Sequence, residues 1–387
     1  MGCLGWPEAL PRERQASKIG DPVERLRLLR EVTRDRQESS SPHRAVPPRP
    51  ARPVLAALLL AAFAGTTSDA LRPAFSTGFA SMKAPAEAPE VWLAEKTTDW
   101  ELYSNGLRIE YRLAVSTRPR LYRLLPPPGS QDRSRRFETR PAGIVFHAFE
   151  SELAFFAPEY IGWMKRQSLD LIAYARRRRL YHYVVDRFGR VHRIVEEADV
   201  ADHAGHSVWA GAEGVYLDLN ASFLAVAFEV RTRGEAEAAP LSPAQLQAGR
   251  ALTELLRGKH RIRPENCLTH AQVSVNPFNS VIGFHADWAR QFPFASLGLP
   301  DNYLQPPPSV SLFGFAYEPA FFEAAAPSLR AGLLRAEEEL RRQAAARNLT
   351  PARWRAGLLR RYREAAAEAA TERVALEALA RLEVYQP

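Results

Sequence analysis

The sequence predicts an α/β domain: a mixed central β-sheet flanked by helices, with a C-terminal helical appendage. Three observations predict it. Short apolar runs alternate with helix-length amphipathic stretches between residues 142 and 269. One run, Ser222–Val230, is apolar at successive positions, as a strand covered on both faces must be. From Glu318 onward the composition turns to Ala, Arg, Glu and Leu, and two or three helices are expected.

Taken in order, residues 1–53 are rich in Arg, Pro, Ser and Glu and show little apolar periodicity. The eleven apolar residues Val54–Ala64 follow, then the small and polar Gly65–Ala70. A basic region, a short apolar run and a small-residue exit describe a secretory signal peptide, so residues 1–70 are expected to be a basic, disordered extension with a signal-like segment at 54–70. Export to the periplasm or beyond follows. The alternative is an uncleaved anchor that associates the chain with a membrane, although the run is short for a full span. Residues 71–140 read as a linker with an extra hairpin around the strand-like Leu107–Leu113.

The main domain is expected over 141–304. Ala142–His147 is a short buried strand, and Glu159–Arg178 is a helix whose apolar face carries Ile161, Met164, Leu169, Ile172 and Tyr174. Tyr181–Asp186 and Val191–Val195 are strands joined by the hairpin turn Arg187–Arg190. Ser222–Val230 is the central strand. Ser242 caps a helix with Pro243 at its first position, running to about Arg257. Glu265–Thr269 is a strand leading to His270. Pro306–Pro308 breaks the chain before the helical extension 305–387, and Thr350 caps its last helix.

The net charge is +8 and favours anionic partners, but no nucleic-acid-binding motif accompanies it, so no nucleic-acid partner is expected. The two cysteines, Cys3 and Cys267, lack metal-site spacing. The chemistry lies elsewhere. His147 closes an apolar strand, His270 ends another, and Asp287 follows with aromatics, Phe292 and Phe294, five and seven residues beyond it. Two histidines and a carboxylate, with a fourth position left to water, form a catalytic zinc pattern rather than a structural one. His285, two residues before Asp287, is the alternative third ligand.

Five ordered blocks resemble one family. They are the strand ending in His147, Tyr181–Val191, Ala201–Trp209, Leu219–Asn220 with the strand to Glu229, and His270–Phe294. From about Gly143 to Phe294 the chain resembles the zinc-dependent N-acetylmuramoyl-L-alanine amidases, which share a fold with peptidoglycan recognition proteins. The resemblance implies Zn2+ held by His147, His270 and Asp287. It implies peptidoglycan or muropeptides as partners, and hydrolysis of the amide between N-acetylmuramic acid and L-alanine. Tyr181 matches a tyrosine beside the metal-bound water, and His285 a group facing the scissile carbonyl. His203, Asn220 and Trp209 fall in blocks that line or brace the substrate groove. In members with a catalytic glutamate, that residue falls at Ala227 here. Glu229 either does the same work displaced by one pleat or is a structural charge. The competing function is a non-catalytic peptidoglycan-binding module of the same fold.

Overall fold

The computed structural model describes residues 90–383 without 128–129, 131–135, 152–156, 206, 232–240 and 277–278, and gives the backbone only from 372. The basic extension and signal-like segment expected over 1–70 therefore lie outside the described residues. Among the described residues no helix is long and apolar enough to cross a membrane.

The chain opens with β1 (Leu93–Lys96), β2 (Trp100–Tyr103) and β3 (Arg108–Glu110). A small pair, β4 (Tyr122–Leu124) and β5 (Arg136–Glu138), follows. Then come β6 (Gly143–Glu150), helix α1 (Ile161–Arg178), β7 (Tyr183–Val185) and β8 (Val191–Arg193). The hairpin β9 (Trp209–Gly211) and β10 (Gly214–Tyr216) leads to the single turn α2 (Leu219–Ser222) and β11 (Phe223–Val230). The remainder is α3 (Pro243–His260), β12 (Cys267–Thr269), the short α4 (His270–Val273), β13 (Val281–Ile282), α5 (Pro308–Phe313), β14 (Ala316–Tyr317), α6 (Pro319–Ala324), α7 (Pro327–Ala345) and α8 (Pro351–Glu383).

Eight strands form one mixed sheet in the order β1-β2-β3-β8-β7-β11-β6-β12. β11 lies between β7 and β6, parallel to both, and all of its residues are buried, as its unbroken apolar run requires. The extra hairpin expected near Leu107 is instead a three-stranded meander that extends the central sheet. β3 pairs in parallel with β8 through Ile109 and Val191, a long-range pairing that local pattern does not specify. Glu101 on β2 fixes the join by an ion pair with Arg193 on β8 at 2.7 Å.

The hairpin turn before β8 needs Gly189. Its φ is +76°, and a Cβ there would sit 2.6 Å from the Ala244 carbonyl oxygen. Ser242 caps α3 and forms a full capping box with Gln245, an arrangement that contributes about 1 kcal/mol. Thr350 caps α8 through the amide of Arg353, as its sequence position predicts.

The two faces of the sheet bury different material. On one face Phe146, Leu224, Val226 and Phe228 pack with Leu252 and Leu256 of α3 and with Leu329, Leu333 and Leu340 of α7. The C-terminal helices are thus continuous with the main core. On the other face Phe149 and Ala227 pack against Ile172 and Ala175 of α1. His147 projects toward this second face, between the Phe149 group and a smaller cluster holding Val145 and Val273.

Candidate active site

Three chain segments converge on His147. β6 carries it beside Ala227 of β11. β12 runs parallel to β6 on the far side and ends with Thr269 beside Phe146, so the next residue, His270, arrives next to His147. There the strand turns into α4, closed by a capping box between Thr269 and Gln272. Gln272 donates to the Asn302 carbonyl at 2.8 Å, and Asn302 donates to the carbonyl of Cys267 at 2.8 Å. The histidine is therefore held by a closed hydrogen-bonded frame.

Asp287 is placed from the opposite side of the sheet by aromatic packing. Phe292 stacks 4.8 Å from Phe146 and 5.3 Å from Trp288, and Phe294 lies 4.8 Å from Phe292. The aromatics five and seven residues beyond Asp287 thus anchor its loop to the reverse face of the residue adjoining His147. Trp288 takes a left-handed φ of 68°, and the Tyr303 hydroxyl donates to its carbonyl.

The three side chains close into one set. His270 Nδ1 is 3.0 Å from Asp287 Oδ1, His147 Nδ1 is 3.6 Å from Asp287 Oδ2, and one ligand atom from each residue lies within 4.8 Å of the others. Ligand atoms about 2.0–2.2 Å from a shared tetrahedral ion stand roughly 3.3 Å apart. The donor set and its spacing therefore fit a divalent metal. Burial, with His270 adding to it, pushes the His147 imidazolium down to about 4, so the ring is a neutral donor. Burial disfavours the Asp287 charge, but His270 and His147 outweigh it and hold the carboxyl well below its usual range.

Two rings flank the set. His285 stacks on His270 with centroids 4.8 Å apart and is exposed, and its amide donates to Ser274 Oγ at 3.0 Å. Tyr181 lies 5.0 Å from the His147 ring. Its φ is 58°, a left-handed conformation uncommon for an aromatic residue, and the turn aims the ring back at His147. Burial and then Asp287 raise the Tyr181 phenol above its ordinary range.

The other expected site residues fall into distinct places. His203 Nδ1 is 3.1 Å from Nε2 of His147, the nitrogen that faces away from Asp287. It thus touches the metal set rather than open surface. Asn220 accepts from the amides of His203 at 3.0 Å and Ala204 at 2.6 Å, bracing the loop that holds that histidine. Trp209, expected in the groove, is instead 2 % exposed and donates to Asn266 at 3.1 Å. Glu229 points toward α1, where Ser168 Oγ at 2.6 Å, Ser151 Oγ at 3.1 Å and the Arg187 amide at 3.2 Å donate to it. Burial raises its carboxyl. Among the described residues no hydrogen bond or ion pair joins it to His147, His270 or Asp287, and its contacts are those of the structural alternative. Ser274 and Asn302 went unnoticed in the sequence, since a lone serine or asparagine carries no periodic or motif signal.

Residues 138–288 match the family model for N-acetylmuramoyl-L-alanine amidase. The N-acetylmuramoyl-L-alanine amidase AmiD of Escherichia coli (strain K12) is 34% identical over 89 residues, 22% of this chain and 31% of that protein. The chain therefore spans under a third of the length of that relative. Among solved structures, a complex of AmiD from E. coli with the substrate anhydro-N-acetylmuramic acid-L-Ala-D-gamma-Glu-L-Lys is 21% identical, covering 45% of this chain and 64% of that chain with a TM-score of 0.31. N-acetylmuramoyl-L-alanine amidase LysC from Clostridium intestinale URNW is 20% identical, covering 41% and 83% with a TM-score of 0.26. The segment 138–288 is thus similar to the N-acetylmuramoyl-L-alanine amidase family.

Proposed function

We propose that this protein is a zinc hydrolase that cleaves the amide between N-acetylmuramic acid and L-alanine in peptidoglycan or muropeptides. The single observation that carries the reading is the complete His147, His270 and Asp287 donor set, with Tyr181 and His285 on its two sides. Two imidazoles and a carboxylate are the donor chemistry of catalytic zinc. Zinc, when bound, acidifies a water toward neutral pH and polarises the carbonyl under attack.

The remaining steps belong to the chain's own groups. Tyr181, its phenol raised above the ordinary range, stays protonated and orients the attacking water by an O–H donor. His285, exposed beside His270, offers a ring N–H to the oxyanion that develops on the carbonyl and to the leaving amine. His203 holds the His147 ring through its far nitrogen, which fixes the orientation of the donor atom. Glu229 acts as a brace between α1, the sheet and the β7–β8 hairpin. Export through the signal-like segment 54–70 would place the protein beside cell-wall polymer.

The binding-module reading keeps one observation in its favour. Ala227 stands beside His147 where a catalytic glutamate would fall, and Glu229 is engaged elsewhere. The test is mass spectrometry of peptidoglycan and soluble muropeptides incubated with the full chain, with and without chelator. Chelator-sensitive release of peptides beginning with L-alanine supports the hydrolase. Binding of muropeptides by zinc-loaded protein without cleavage supports the binder.

A further inference from the structure

Arg120 is 2 % exposed and makes no ion pair among the described residues. Burial lowers its guanidinium to about 10. A buried cation is costly unless its donors find acceptors; Glu197, Asp199 and Asp218 favour the charge, and four bonds to carbonyls satisfy the fork. Nε donates to the Glu197 carbonyl at 3.1 Å, Nη1 to the carbonyls of Ala221 and of Phe223, the latter at 3.3 Å, and Nη2 to the Asp199 carbonyl at 3.0 Å. Nη2 also lies 2.8 Å from Nε2 of His182. His182 Nδ1 accepts the Ala225 amide at 3.0 Å, so its Nε2 carries the proton and donates to the Asp199 carbonyl that Arg120 also meets. The groups around the guanidinium sit beside the site residues in sequence: His182 follows Tyr181, Ala221 follows Asn220, and Asp199 precedes His203 by four positions. The same stretch is bound alongside: the Arg120 amide donates to Ala198 at 2.7 Å and Thr117 Oγ1 to Val200 at 2.6 Å.

We propose that Arg120, which precedes the segment matched by the family model, is a positioning residue. Its buried guanidinium fastens together the segments that present His203 and Asn220 to the His147 set, and it shares the Asp199 carbonyl with His182, the neighbour of Tyr181. A planar fork with five N–H groups can span these acceptors, and a lysine ammonium, with three donors at one point, cannot. The described stretch that carries Arg120, ahead of residue 138, is on this view a part of the site and not an addition to it. The catalytic arm of the proposal rests on the hydrolase reading, and the positional arm does not.

The test compares full-length Arg120→Met and Arg120→Lys with Leu333→Ala, a change in α7 that destabilises the core without touching these segments. Three quantities are read for each: the thermal midpoint, zinc content, and the histidine ring NMR signals of zinc-free protein. Steady-state kinetics on a muropeptide, corrected for folded fraction, is the fourth. Arg120→Met is expected to retain zinc, to lose about tenfold to a hundredfold in kcat with little change in KM, and to shift the His203 and His182 signals. Arg120→Lys is expected to give no rescue. Leu333→Ala is expected to lower the midpoint and leave kcat and those signals alone. The proposal is overturned if Arg120→Met matches Leu333→Ala in kcat and leaves the His203 signals in place, or if Arg120→Lys restores both. Should Arg120→Met not fold, Arg120→Lys carries the same comparison. If the wild type cleaves no muropeptide, the hydrolase reading fails, and the NMR comparison alone decides the positioning.

Discussion

Asp287, partly buried, and Glu229, fully buried, are carboxylates near the α1-facing side of one sheet, yet they have opposite surroundings. Asp287 faces two imidazoles and is held well below its usual range. Glu229 faces two hydroxyls and an amide and is raised. A carboxylate among neutral donors that are already directed at it is a joint between elements. One whose neighbours are themselves metal-binding groups is poised to share an ion with them. The partner chemistry, more than burial, separates the two roles.

The largest expected effect comes from dismantling the imidazole side. His270→Ala removes a ligand and should abolish both stoichiometric zinc and measurable turnover, a loss of at least about a thousandfold. Zinc content by elemental analysis beside activity checks it, and full metal occupancy in that variant would dissolve the contrast. His285→Ala comes next. It should keep zinc and lose about a hundredfold in kcat, the cost of one donor to a developing oxyanion. Unchanged kcat would remove His285 from the chemistry.

Glu229→Gln should be smaller and of a different kind. We expect a loss of about 1–2 kcal/mol in stability, from imperfect replacement of the hydrogen bonds, with kcat within about threefold of wild type. A hundredfold fall in kcat at an unchanged melting temperature would return Glu229 to the mechanism.

The gentlest probe is pH. In the folded, metal-free protein, burial depresses His147 to about 4 and His182 to about 3, and holds His203 well below its ordinary value. The unfolded chain takes up these protons near pH 6.5 and the folded chain does so only below about 4. Stability contributed by their neutrality is thus present above pH 6.5 and is lost as pH falls toward the folded values. The melting temperature of zinc-free protein should drop between pH 7.5 and pH 5. A flat profile would mean that these rings are not buried as neutral groups.

Much of this was legible in the sequence for physical reasons. β11 announced itself because a two-sided apolar run has few other uses, and α3 because its apolar face repeats at helical spacing; α1 is a helix as expected, but of its expected face Met164 and Ile172 are buried while Ile161, Leu169 and Tyr174 are exposed. His147 was legible because it lies in an apolar strand, His270 because it follows one directly, and Asp287 because of the aromatics five and seven residues beyond it. The misplacements, and the choice left open at Glu229, share a cause as well. Trp209, Glu229 and the β1–β3 meander depend on long-range partners, namely Asn266, Ser168 and β8, and no local pattern encodes a partner. Arg120 is the extreme case. A single arginine in a chain rich in arginine gives no sign that it is the one turned inward.

The outermost strand has a practical consequence. Among the described residues β1 is one edge of the sheet, with every side chain exposed, a register break between Leu93 and Glu95, and a run ending in Glu95 and Lys96. A bulge and charges are what keep a free edge from recruiting another chain. Inside it lies β2, whose Glu101 is paired with Lys96 at 2.9 Å and whose Leu102 and Trp100 are only partly covered. A shortened protein that began after Lys96 would lose that shield and bare a more apolar edge. It should self-associate in solution even though every metal-facing residue remained in place.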